Sequence, residues 1–195
     1  MTASKANRCR MGLCSLLAWS LALSFPVAAQ TPPGVGADIL ATMDRLAIKL
    51  PMDIAASDPV RKPLEELSRE RCDQKAIATL GTELDKVGYR REAANAHVSY
   101  SETCGGYPPS LRAAAIILLR LTDYPKAAAV ASDLIKLQPF SDSGYYLRGV
   151  AYDRFPKKAI DDYIISIELF GNKEKIGSVA YYAIGAKLRV AGPIL

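Results

Sequence analysis

Apolar residues recur along most of this chain at the spacing of a helix rather than a strand. Lys126 to Leu137 (KAAAVASDLIKL) combines that spacing with strong helix formers. Lys157 to Phe170 repeats the pattern, with Ile160, Tyr163, Ile164 and Ile167 on one side. Upstream, Ala37 to Leu50 reads as a helix through Ile39, Leu40, Met43, Leu46 and Leu50. Asp58-Pro59 is expected to start another, with Pro63 in its first turn and Leu64 and Leu67 packed onto the helices beyond it. Strand-like alternation between turn pairs is absent, so the expected fold class is all-α.

The helices come in a period. A small residue sits at Gly81, Ala115 and Gly149, with steps of 34 and 34. An alanine sits at Ala93, Ala127 and Ala159, with steps of 34 and 32. A fourth copy begins at Tyr181-Tyr182-Ala183-Ile184-Gly185, 36 residues after Gly149. A helix pair cannot bury its apolar face alone, so such pairs stack. Small residues at the contacts let the helices approach to the near end of the 8–10 Å range.

The period and residues resemble the tetratricopeptide repeat (TPR) family. The segment Leu111 to Pro139 carries Ala115, Leu118, Tyr124, Ala127, Leu134 and Pro139. Tyr145 to Leu169 carries Tyr145, Gly149, Ala151, Tyr152, Ala159 and Tyr163. Ile77 to Cys104 carries Leu80, Gly81, Leu84, Gly88, Ala93 and Tyr100, with His97 where the family usually has an aromatic. The third copy departs at Arg154-Phe155-Pro156-Lys157, a turn two residues shorter than its neighbours. The resemblance implies a right-handed superhelical solenoid of antiparallel helix pairs, about three and a half repeats long. The expected organisation is a signal peptide at 1–29, a linker with capping helices at 30–71, and repeats at 74–107, 108–141 and 142–172. A partial repeat comes next at 178–195, where Gly192-Pro193 reads as a turn and a second helix is missing. That end is expected to be covered by self-association or to continue into a longer protein. Exported bacterial proteins of this look sometimes carry repeats ahead of an aspartyl-protease-like domain, so the alternative reading is the recruiting part of a larger exported hydrolase.

One short stretch bears on that alternative. Ser141 to Tyr146 reads SDSGYY, and Asp142-Ser143-Gly144 spells the triplet of an aspartic protease turn. An apolar strand should precede such a turn, and Pro139-Phe140-Ser141 is not one. A second Asp-Ser/Thr-Gly is absent. The stretch instead leads into a helix at Tyr145, with Asp142 or Ser143 expected as its N-cap.

The first 29 residues obey different rules. Lys5, Arg8 and Arg10 precede an apolar run from Met11 to Val27, and Val27-Ala28-Ala29 offers a cleavage site before Gln30. This is the pattern of a secretory signal peptide, and the run is short for a membrane anchor. The expected location is outside the cytoplasm, periplasmic or secreted, with no membrane contact after cleavage. The segment holds three basic residues and no acidic one, so its removal takes the formal charge from +5 to +2. The basic balance then says little about partners, and no Lys/Arg run argues for nucleic acid.

The remaining cysteines, Cys72 and Cys104, read as one disulfide in an exported chain. In the implied antiparallel pair they flank the first repeat at neighbouring ends. Two sulfurs and one remote histidine fall short of a zinc site, so no metal or cofactor is expected. Nor is there a G-x-S-x-G, a phosphate-binding loop or an H-E-x-x-H, and His97 reads as a packed residue. The expectation is a non-catalytic protein.

Binding is what remains. In the TPR family the first helix of each pair lines the groove. Its expected positions here include Lys75, Ala78 and Thr82, then Arg112, Ile116 and Arg120. Tyr146, Val150, Asp153 and Arg154 come after them, then Tyr182 and Ala186. Arginines among tyrosines suit an extended peptide with an acidic group, or are ordinary solvated charges beside a packed tyrosine. The asparagines with which some family members clamp chaperone-tail carboxylates are missing, so that ligand class is not supported.

Overall fold

The structure, a computed structural model, describes residues 35–152 and 155–170. All belong to one unit, assigned to 31–195. Among them the secondary structure is helical: α1 (Ala37–Arg45), α2 (Met52–Ala56), α3 (Asp58–Arg69), α4 (Gln74–Lys86), α5 (Arg90–Thr103), α6 (Pro108–Arg120), α7 (Tyr124–Leu137), α8 (Asp142–Ala151) and α9 (Pro156–Phe170). From α3 onward each helix packs on the next, and α6 also touches α8, the first helix of the succeeding pair. That is the stacking of an all-α solenoid. The expected signal peptide and the partial repeat at 178–195 lie outside the described residues. No helix of the described residues is long and apolar enough to cross a membrane.

Small residues set the helix spacing. A Cβ placed on Gly149 would lie 2.7 Å from Cε1 of Tyr163 on α9. One placed on Gly81 would overlap Nε2 of His97 on α5. In the middle pair the same positions are alanines, and Ala115 and Ala127 are both fully buried. The turns within pairs use left-handed backbone: Gly88 has φ +89°, and Thr122, 34 residues later, has φ 57°. Glycine adopts that conformation freely, whereas a β-branched residue is strained in it.

The N-terminal region differs from expectation in two places. The helix from Ala37 stops at Arg45, because Ala47 takes a left-handed φ of 52°. Leu46, Ile48 and Leu50 are still buried, but Ile48 and Leu50 reach the core from non-helical chain. Pro63 is not in a first turn. It sits inside α3, whose first turn holds Pro59 instead. A proline there gives up one intrahelical hydrogen bond, and Pro63 is buried. Arg45 closes the other end of α3 by donating to the carbonyls of Leu67 (2.9 Å) and Arg71 (3.3 Å).

SDSGYY is the start of α8. The N-cap is Ser141, in extended backbone and without a side-chain capping bond, rather than Asp142 or Ser143. Both of those are already helical. Asp142 still favours the helix as a charge in its first turn. The glycine of the triplet serves packing, since a Cβ on Gly144 would lie 2.7 Å from Cγ1 of Ile135 on α7.

Cys72 and Cys104 are disulfide-bonded, with Cα atoms 5.6 Å apart. Tyr100 supports the join by donating from its hydroxyl to the Cys72 carbonyl at 2.6 Å.

Candidate functional site

Helix α6 begins with Pro108 and Pro109, which need no intrahelical donor there. It buries Leu111, Ala114, Ala115, Ile117 and Leu118. Arg112, Ile116 and Arg120, four residues apart, form one exposed stripe on the opposite side. On α4, begun by Asp73 accepting from the amides of Lys75 (2.8 Å) and Ala76 (2.9 Å), the exposed positions include Lys75, Ala78 and Thr82. On α8, Tyr146 and Val150 are half-buried, and the Tyr146 ring lies 6.0 Å from that of Tyr163. Arg154 and Tyr182, with Asp153 and Ala186, lie outside the described residues.

The two arginines of α6 are not equivalent. Arg120 sits 3.3 Å from Asp85 of the preceding pair, and Asp85 is also held by Arg90 at 2.6 Å. Arg112 has no ion-pair partner among the described residues. Ile116 between them is 37 % exposed.

His97 and Ser110 face each other, Nδ1 to Oγ, at 3.2 Å. A nucleophile and its base would sit at such a distance, but both are buried, and burial depresses the imidazole pKa to about 4. The arrangement joins α5 to α6 in the core. Among the described residues no three His, Cys, Asp or Glu side chains are grouped to hold a metal.

Sequence reasoning missed the most organised polar cluster. Arg148 on α8 forms a bidentate pair with Asp162 on α9, Nε to Oδ2 at 2.8 Å and Nη2 to Oδ1 at 2.7 Å. It also donates to Ser132 Oγ on α7 at 3.3 Å. The carboxylate raises the guanidinium pKa. Three helices are pinned by one side chain, and only the folded neighbours of Arg148 mark it as special.

No protein-family model and no curated protein matches this chain. Solved structures do. A crystal structure of MamA has TM-score 0.57 at 19 % identity, covering 68 % of this chain and 77 % of that one. MamA from position 41 to its end, from Desulfovibrio magneticus RS-1, has TM-score 0.56 at 18 % identity, covering 80 % and 87 %. Another crystal structure of MamA protein has TM-score 0.57 at 18 % identity, covering 80 % and 83 %. At such identities the likeness is one of fold, and the fold is the TPR-like helical solenoid.

Proposed function

We propose that this protein is an exported, non-catalytic scaffold that binds a protein or peptide partner along the first helices of its TPR-like pairs. The observation that carries this is the α6 stripe, where an exposed isoleucine stands between two arginines on a helix whose opposite side is buried in the core. An apolar contact flanked by cations suits a peptide with an acidic group. The TPR-like fold agrees with a scaffold role. Export is supported by the signal pattern of residues 1–29 and by the Cys72–Cys104 bridge, a bond that persists in oxidising compartments.

The test is capture by cross-linking from the protein's own source. Arg112→Glu with Ile116→Asp should keep the helical circular dichroism and abolish capture of any partner taken by the wild type. Unchanged capture sinks the assignment. Arg120 is left alone because reversing it would also place two carboxylates together at Asp85. The intact mass from the source tests export: a chain beginning at Gln30 supports it, and one retaining Met1 refutes it. A mass far above that of this chain would favour the larger-hydrolase alternative.

A further inference from the structure

Between α7 and the end of α8 lies a cavity of about 680 Å³. Tyr124, Ala128 and Ser132 of α7 form one wall, and Tyr152 and Phe155 at the α8–α9 turn form another. The volume lies in the range of ligand pockets, roughly 300–1,000 Å³. The one hydroxyl among the α7 wall residues beyond Tyr124, that of Ser132, is already engaged, donating to the Ala128 carbonyl at 2.8 Å and accepting from Arg148. Pro125, Ala128, Ala129, Ala151 and Phe155 make most of the lining apolar, and charge selectivity falls to the rim.

Among the described residues the rim is positive. Lys158 Nζ stands 5.5 Å from the Tyr152 ring centroid and 5.8 Å from that of Phe155, both wall residues. Lys157 is exposed beside it. Among the described residues neither lysine has a carboxylate partner. Asp161, one turn on, is exposed and pairs with neither, and Asp162 is held by Arg148. At the start of α7, Asp123 is taken by Arg91 and Lys126. Helix α9 begins here with no acidic residue in its first turn, so its free amides add to the positive field.

We propose that this cavity is a second binding site, distinct from the α6 stripe, for an acidic peptide segment of a protein partner. A bulky apolar side chain enters between Tyr124 and the Tyr152–Phe155 wall, and neighbouring carboxylates meet Lys157 and Lys158. An extended chain is favoured over a compact molecule because Phe155 is 62 % exposed. A ligand confined to the cavity would leave that ring in water, whereas a chain running past the mouth covers it.

The test is an NMR titration of the full chain with the blocked peptide acetyl-Asp-Glu-Phe-Glu-Asp-amide. The amides of Ala128, Ala129, Ser132 and Tyr152 should shift. Affinity should fall about tenfold for the Asn/Gln counterpart peptide and for Lys158→Glu, and fall with added salt. Ala129→Trp, which fills the cavity from an exposed wall position, should abolish the shifts. Lys158→Gln stands in if Lys158→Glu does not fold. The proposal is overturned if millimolar peptide moves no amide, or moves only those of α6. It is equally overturned if the uncharged peptide, or N-acetylphenylalanine amide alone, binds as tightly as the acidic peptide.

Discussion

Acidification should destabilise this protein through one buried residue. His97 is the chain's only histidine, so its ring protons report a single titration. Its ordinary pKa is 6.5, and burial lowers the folded value to about 4. Above pH 6.5 both folded and unfolded imidazoles are neutral, and no stability is lost. As pH falls below 6.5 the unfolded ring takes up a proton that the folded ring refuses, so stability falls. The loss is complete near pH 4, where both forms are charged. The gap is about 2.5 pKa units at 1.36 kcal/mol each, or about 3 kcal/mol. The slope in that window approaches 1.4 kcal/mol per pH unit, the value for one proton. Most carboxylates titrate lower, so the upper half of the window belongs mainly to His97. The assay pairs an NMR titration of the ring with urea unfolding at each pH, for the wild type and His97→Gln. The variant should lose the slope between about pH 6.5 and 5. A folded-state imidazole titrating near 6.5, or a slope unchanged in the variant, would refute the reasoning.

Named contacts carry four further outcomes. Cys72→Ser with Cys104→Ser opens a loop of 32 residues and should lower the unfolding free energy by about 4 kcal/mol, read by chemical denaturation. An unchanged midpoint would mean that the bridge is idle. Thr122→Gly relieves a left-handed β-branched residue and should raise stability by about 1 kcal/mol, whereas a lower melting temperature contradicts the strain. Arg148→Met leaves the buried Asp162 carboxylate unpaired and should cost about 3 kcal/mol, most of it recovered by adding Asp162→Leu. No recovery would show that the pair is not the cause. Gly149→Ala pushes a methyl against Tyr163 and should cost about 1–3 kcal/mol, with neutrality refuting the close contact.

Much of the fold was legible because its causes repeat. Gly81, Ala115 and Gly149 mark close helix contacts at equal intervals, and the structure puts a partner side chain or a fully buried alanine at each. Helix ends were less legible. Arg45 ends α1 although Leu46 and Leu50 continue the apolar spacing, because buried chain need not be helical. Ser141 rather than Asp142 precedes α8, a one-residue shift of the size by which helix ends commonly vary. The stripe of Arg112, Ile116 and Arg120 was visible as residues on one helix face. The capture of Arg120 by Asp85 was not, because those two lie 35 positions apart.

The division has a physical basis. Helical spacing, the repeat period and the packing role of His97 depend on local preference and on a recurring contact, and the sequence by itself determined them. Which arginine of α6 has an ion-pair partner among the described residues, and which aspartate is buried beneath Arg148, depend on distances between helices. Those distances are set by side chains on neighbouring helices, so only the tertiary structure decided them.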